Sequence, residues 1–200
     1  MSGINDLKDV SLENGESDTE EVYSGGGGAV SVAGHYHVIA CAPELKADDG
    51  KLKHIEVALD VVAGTAESEV NKKIYHRIYL ESWADKANGI TGPLKDSMAK
   101  GVRRFCHAFG TISDDDLPKK NVPLGFHLLE GKQAVVEVRQ EDDWVNDKGE
   151  TQPGGFKIPF NNAWPVTHPK VEDVPKDPEF LQYAESGQTP GPSDDEFAGI

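Results

Sequence analysis

What this chain of 200 residues lacks narrows its reading before anything it contains. It has two cysteines, Cys41 and Cys106, far apart and each within a segment patterned as strand or helix. No disulfide framework follows from them, which fits a reducing cytoplasm. There is no basic region leading into an apolar stretch, and no apolar run near the roughly 20 residues that cross a bilayer. The expectation is a cytoplasmic protein with no membrane partner. A Ser or Cys nucleophile motif is also missing, and Cys106, on an apolar helical stripe, reads as core. Gly25, Gly26, Gly27 and Gly28 stand without the lysine and Ser or Thr of a phosphate-binding loop, so they read as a linker. Nothing calls for a cofactor, and no enzyme is expected.

Positive charge is scarce: 20 Lys and Arg against 35 Asp and Glu, a net of −15. Such acidity argues against a nucleic-acid partner, because the summed field repels phosphate. Its distribution changes that conclusion. Residues 1–33 hold seven acids and one base, and residues 172–200 hold eight acids and one base, which leaves 20 acids and 18 bases in residues 34–171. The division expected is a disordered acidic, glycine-rich arm over 1–33, one folded domain over 34–171 and a disordered acidic tail over 172–200.

Within the body, alternation with a period of two marks strands. Strand one covers His35 to Cys41, and a polar turn spans Lys46 to Lys51. In strand two, His54 to Val62, Ile55, Val57, Leu59 and Val61 share a face opposite His54, Glu56, Ala58 and Asp60. Strand three, Asn71 to Trp83, sets Ile74, His76, Ile78 and Leu80 against Lys73, Tyr75, Arg77 and Tyr79. A helix opens at Thr91 and Pro93, carries an apolar stripe of Leu94, Met98, Val102, Phe105 and Phe109, and closes at Gly110. Lys95, Lys100, Arg103 and His107 fall largely off that stripe, as on a solvated face. Strand four, Leu128 to Gln140, turns Ala134, Val136 and Val138 inward and Val135, Glu137 and Arg139 outward. Glu141 to Pro153 reads as an acidic turn, and strand five, Phe156 to Phe160, puts Phe156, Ile158 and Phe160 on one side. After Trp164 the recurring prolines exclude regular elements.

Three strands, a helix and two strands define a mainly β fold: a five-stranded OB-fold-like barrel with one helix between strands three and four, flanked by disordered acidic tails. An open sheet with the helix on one face is the alternative, but one helix covers too little of five strands. Strands two and three carry oligonucleotides in OB folds, and there Lys73 and Arg77 suit phosphates while Tyr75 and Tyr79 suit unstacked bases. The plainer alternative for strand three is cross-strand packing of its Tyr and Arg side chains.

Several short segments occur together in order: Gly34-His35-Tyr36-His37-Val38, Asp60-Val61-Val62-Ala63-Gly64, Arg104-Phe105-Cys106-His107-Ala108-Phe109-Gly110, and Leu129-Glu130-Gly131-Lys132 with Val136-Glu137-Val138. Over residues 34–162 they resemble a family of bacteriophage proteins, formerly a phage domain of unknown function, thought to be OB-fold single-stranded-DNA-binding proteins. Where that family carries Gly-Arg ahead of strand three, this chain has Asn71-Lys72-Lys73 and keeps the charge. The resemblance implies a protein that coats single-stranded DNA in phage replication or recombination, in the host cytoplasm. Bases would stack on Tyr75, Tyr79, Trp83 and Trp144, and phosphates would sit on Lys72, Lys73, Arg77, Lys132 and Arg139. Ser193-Asp194-Asp195-Glu196-Phe197 is similar to the acidic tails with which such proteins dock onto replication or recombination partners, although those tails end on the aromatic, and here Ala198, Gly199 and Ile200 follow.

Two other classes stand beside this one. An OB-like interaction module with no DNA affinity of its own would work through its acidic tails. A magnesium nuclease would need converging carboxylates from Asp114 to Asp116 or Glu141 to Asp143, both in turns without apolar framing. His35 and His37 share a strand face but lack a second pair at ligand spacing, so no metal is expected. Oligomeric state, a homo-oligomer included, is left open by the sequence.

Overall fold

The computed structural model describes residues 29–47, 54–79, 92–119, 121–146 and 148–186. In chain order the elements are β1 (Gly34–Ala40), β2 (Glu44–Lys46), β3 (His54–Gly64), β4 (Lys73–Ile78), α1 (Gly92–Ala108), β5 (Gln133–Gln140), β6 (Trp144–Val145), β7 (Thr151–Gln152), β8 (Phe156–Lys157), β9 (Ala163–Trp164) and α2 (Pro178–Ser186). Antiparallel pairing joins β1 to β3 and β5, β3 to β2 and β4, and β5 to β8 and β9. The fold is therefore mainly β with few helices, as the alternating segments imply. Strand β4 approaches β8. Among the described residues no backbone ladder joins those two strands, and the sheet is not closed into a barrel.

The apolar alternation explains the core. Ile55, Val57, Leu59 and Val61 of β3 are buried together with Tyr36, Val38 and Ala40 of β1 and Ala134, Val136 and Val138 of β5. Each large side chain so enclosed contributes roughly 1.5–3 kcal/mol of transfer free energy. Helix α1 lays Val102, Phe105 and Phe109 on this face. The Phe105 and Phe109 rings sit 4.7 Å apart and tilted by 43°, a geometry worth about 0.5–1.5 kcal/mol beyond burial. Gly110, at φ +68°, closes the helix in the left-handed conformation its sequence position predicts. Gly64 faces the ring of Tyr36, where a Cβ would lie 2.4 Å from the ring edge and 2.6 Å from the His35 carbonyl, so the two strands meet here only around glycine. Tyr36 is wholly buried, its hydroxyl donating to the Val32 carbonyl at 2.6 Å. Burial, aided by the charge of Glu69, pushes its phenol up to about 12.

The expected arm over 1–33 does not hold for residues 29–33. Ala29 bridges Lys73 in parallel, Val30 is buried, and the Ser31 amide donates to the carboxylate of Glu69 at 2.7 Å. That carboxylate is itself buried and also receives Lys72 Nζ at 2.8 Å. Burial raises its pKa, but hydrogen bonds from Lys72, Ser31 and Ser68 outweigh that and leave it below the ordinary value. The clip places residues 29–31 with the body, ahead of the expected boundary at 34.

The expected absence of regular structure after Trp164 is also overturned. A 3-10 turn at Pro169–Val171 leads into α2. Asp177 caps α2, its Oδ1 accepting from the Glu179 amide at 2.9 Å, and Pro178 takes the first helical position, where a missing N–H costs nothing. The ordered body thus runs past the expected boundary at 171. This C-terminal segment binds the outer side of β1 and β5, where Gln133 Nε2 donates to the Phe180 carbonyl at 2.7 Å. Val135, expected to point outward to solvent, is fully buried on that side, as is His37, its cross-strand neighbour.

Strand five is shorter than the pattern implies. Only Phe156 and Lys157 pair, the chain turns at Phe160, and Phe160 is exposed while Ile158 is buried. Strand three likewise begins at Lys73, because Asn71 takes a positive φ of 68° in the preceding turn. The expected core residue Leu80 and the expected cap Thr91 lie outside the described residues. Among the described residues no helix is long and apolar enough to cross a membrane.

Candidate nucleic-acid interface

The two faces of β4 separate as its alternation predicts. Ile74 and Ile78 are buried, and the His76 ring stacks on Phe105 of α1 with centroids 4.7 Å apart. Burial there pushes the imidazole down to about 4. Lys73, Tyr75 and Arg77 occupy the other face, half-buried, followed by Tyr79. The β3–β4 register sets Glu56 opposite Arg77, Ala58 opposite Tyr75 and Asp60 opposite Lys73. His54 meets Tyr79 with ring centroids 5.3 Å apart and a tilt of 39°.

Charge on this face is compensated locally. Lys73 Nζ lies 2.5 Å from Asp60 Oδ1, and Arg77 Nε lies 3.6 Å from Glu56 Oε2. Lys46 on β2 donates to Glu44 and lies 3.9 Å from Glu56. The hydrogen bond to Asp60 is the main reason the Lys73 ammonium is held above its ordinary value. Cys41 completes the corner, its Sγ donating to Asp60 Oδ2 at 3.3 Å with Lys73 Nζ at 3.7 Å. Burial, then Asp60, pushes that thiol up. By strand alternation Glu56 and Asp60, with Glu81, lie on or near the proposed surface, so that a nucleic-acid path is expected to run toward Lys73 and Arg77 and away from these acids. The register instead makes Glu56 and Asp60 direct partners of those two cations; Glu81 lies outside the described residues.

The remaining expected site residues are dispersed. Lys72 stands at the start of β4, committed to Glu69. Lys132 is exposed in the turn before β5, its carbonyl accepting from the Ala40 amide, one residue from Cys41. Arg139, exposed near the end of β5, donates to Glu137 at 2.5 Å, and this contact holds its guanidinium above the ordinary value. Trp83, Asp194, Asp195, Glu196 and Phe197 lie outside the described residues.

Trp144 belongs to an element the sequence reading treats as a plain acidic turn. β6 and β7 form a two-stranded hairpin outside the main sheet, with Trp144 opposite Gln152 and Val145 opposite Thr151. Asn146 builds its turn by accepting from the Lys148 and Glu150 amides at 3.0 Å each. Trp144 is 43 % exposed and Val145 64 %. The Asn-x-x-Gly run after Trp144-Val145 is the signal that could have found this hairpin.

Among the described residues no group of three or more His, Cys, Asp or Glu is placed to hold a metal ion. Both ring nitrogens of His37 are taken, Nε2 by Gln133 at 3.0 Å and Nδ1 by the Asp177 amide at 3.1 Å. Asp114 pairs with His107, and Asp116 with Ser113 and Lys119. No protein-family model and no curated protein matches this chain.

Proposed function

We propose that this protein binds single-stranded DNA without catalysing a reaction on it, as a coating protein of phage replication or recombination. The observation that carries this reading is the outer face of β3 and β4, where Tyr75 and the His54–Tyr79 pair alternate with Lys73 and Arg77. Flat rings accept bases whatever their sequence, at roughly 1–3 kcal/mol per stacked base, and the cations between them match the backbone. The exposed Trp144 on its hairpin offers a further stacking surface. The pairing order, β1 with β3 and β5, β3 with β4, β5 with β8 and β9, and a helix between β4 and β5, supports an OB-type arrangement of the strands. Residues Asp194, Asp195, Glu196 and Phe197 would then recruit a replication or recombination protein.

Fluorescence anisotropy with labelled oligo-dT tests the reading. Binding that survives an unlabelled duplex competitor is expected, and no binding at low salt would overturn it. A second reading, an OB-like module that binds proteins alone, is favoured by the paired charges of the β3–β4 face. Removing residues 187–200 separates the two: DNA binding is kept or strengthened in the first, and the main protein interaction is lost in the second.

A further inference from the structure

We propose that Glu56 and Asp60 are specificity determinants of this face, holding Arg77 and Lys73 in cross-strand pairs so that a nucleic acid is retained only if it offers unstacked bases. The inference rests on the single-stranded-DNA reading and concerns how that same face discriminates against duplex. Non-specific duplex binding is supplied almost wholly by neutralised phosphates. Single strands add base stacking, which needs no net positive charge. A face whose cations already have carboxylate partners withholds the first contribution and keeps the second.

The geometry favours this division of labour. Register, rather than side-chain reach alone, puts each acid opposite its cation, since Glu56 faces Arg77 and Asp60 faces Lys73 directly across the two strands. The Lys73–Asp60 pair nevertheless remains open to solvent, at 43 % and 47 % exposed, whereas Arg77 and Glu56 are mostly enclosed, at 19 % and 17 %. A phosphate can therefore reach Lys73 by displacing Asp60 with no rearrangement of the sheet, while at Arg77 the Nε facing Glu56 is enclosed and only the outer part of the guanidinium is within reach. Displacement returns the acid to water next to a phosphate, at a cost set by like-charge repulsion. A duplex has nothing to offset that cost, whereas a single strand laid across Tyr75 and Tyr79, the latter backed by the buried His54 ring, offsets it by stacking.

The test compares the full chain with Glu56→Gln, Asp60→Asn and the double variant, using oligo-dT and a duplex of equal length across a salt series. Glu172→Gln, an exposed change on the C-terminal segment, controls for net charge alone. The log–log salt slope for oligo-dT should steepen by about 0.7 for each freed cation, and that for duplex by about 0.9. Between about 50 and 200 mM salt each freed cation then adds roughly a threefold fall in affinity. The duplex slope of the double variant steepens by about 0.4 more than its oligo-dT slope, so its single-strand preference drops by roughly a further twofold between about 200 and 50 mM salt. Glu172→Gln should leave both slopes and the preference unchanged. If the parent binds oligo-dT but the double variant keeps the same slopes and preference, the inference falls and the single-stranded-DNA reading stands. If the parent binds no oligo-dT, both fall together.

Discussion

The backbone N–H of Asp177 donates to Nδ1 of His37 across 3.1 Å, joining residues 140 positions apart. With Nδ1 accepting, the ring proton sits on Nε2, which donates to Gln133 Oε1, and Gln133 Nε2 in turn donates to the Phe180 carbonyl. One neutral, fully buried imidazole therefore links the C-terminal segment to β1 and β5, and its partners leave no nitrogen spare.

Replacing His37 with Leu keeps the bulk but leaves the Asp177 amide and the Gln133 carbonyl unsatisfied. A loss of roughly 1–3 kcal/mol in urea unfolding is expected. Amide hydrogen exchange should speed up first in Pro178–Ser186, while the amides of β3 stay protected. Equal acceleration in β3 would refute the idea of a local latch.

The same ring predicts the direction of pH sensitivity. Burial holds the His37 imidazole below its ordinary value, the Gln133 bond and the Asp177 charge oppose that, and Lys176 adds to it. His76 is pushed down from 6.5 to about 4 by burial. In both cases the unfolded chain binds protons more readily than the folded one, so the stabilisation is complete above about 6.5 and declines as pH falls toward the folded values. For His76 alone the loss by about pH 5 is on the order of 2 kcal/mol. Urea midpoints measured from about pH 7.5 to 5 should fall, and less steeply in His76→Gln. Midpoints that rose on acidification would contradict the assignment.

Stacking predicts a graded aromatic series. Tyr75→Ala and Tyr79→Ala should each weaken oligo-dT binding by roughly 1–3 kcal/mol with the fold intact, and Trp144→Ala should do so less or equally. Tyr36→Ala should instead unfold the domain, since its ring is fully enclosed and truncating a buried aromatic costs roughly 3–5 kcal/mol. Circular dichroism on each variant separates the two outcomes. Unchanged affinity for the double Tyr75, Tyr79 variant would exclude this face as the stacking surface.

Some of this was legible from local pattern. The faces of β3 and β4, the stripe of α1 and the turn at Gly110 follow from periods of 2 and 3.6 and from one glycine, signals that do not depend on what packs against them. Helix α2 was legible in part, because Asp177-Pro178-Glu179 is a cap, a first-turn proline and a first-turn acid, outweighed by the surrounding prolines. The return of the C-terminal segment onto β5 was not, because the Gln133–Phe180 hydrogen bond joins residues 47 positions apart.

The sequence by itself determined which residues carry the candidate face: Lys73, Tyr75, Arg77 and Tyr79 fall together because successive strand residues point to opposite sides. Only the tertiary structure decided what those residues face. Register between β3 and β4 set Glu56 and Asp60 against the two cations, and the return of the C-terminal segment set Asp177 against His37. Alternation is a property of one strand, whereas register and long-range closure are settled by how all the segments bury their apolar faces together.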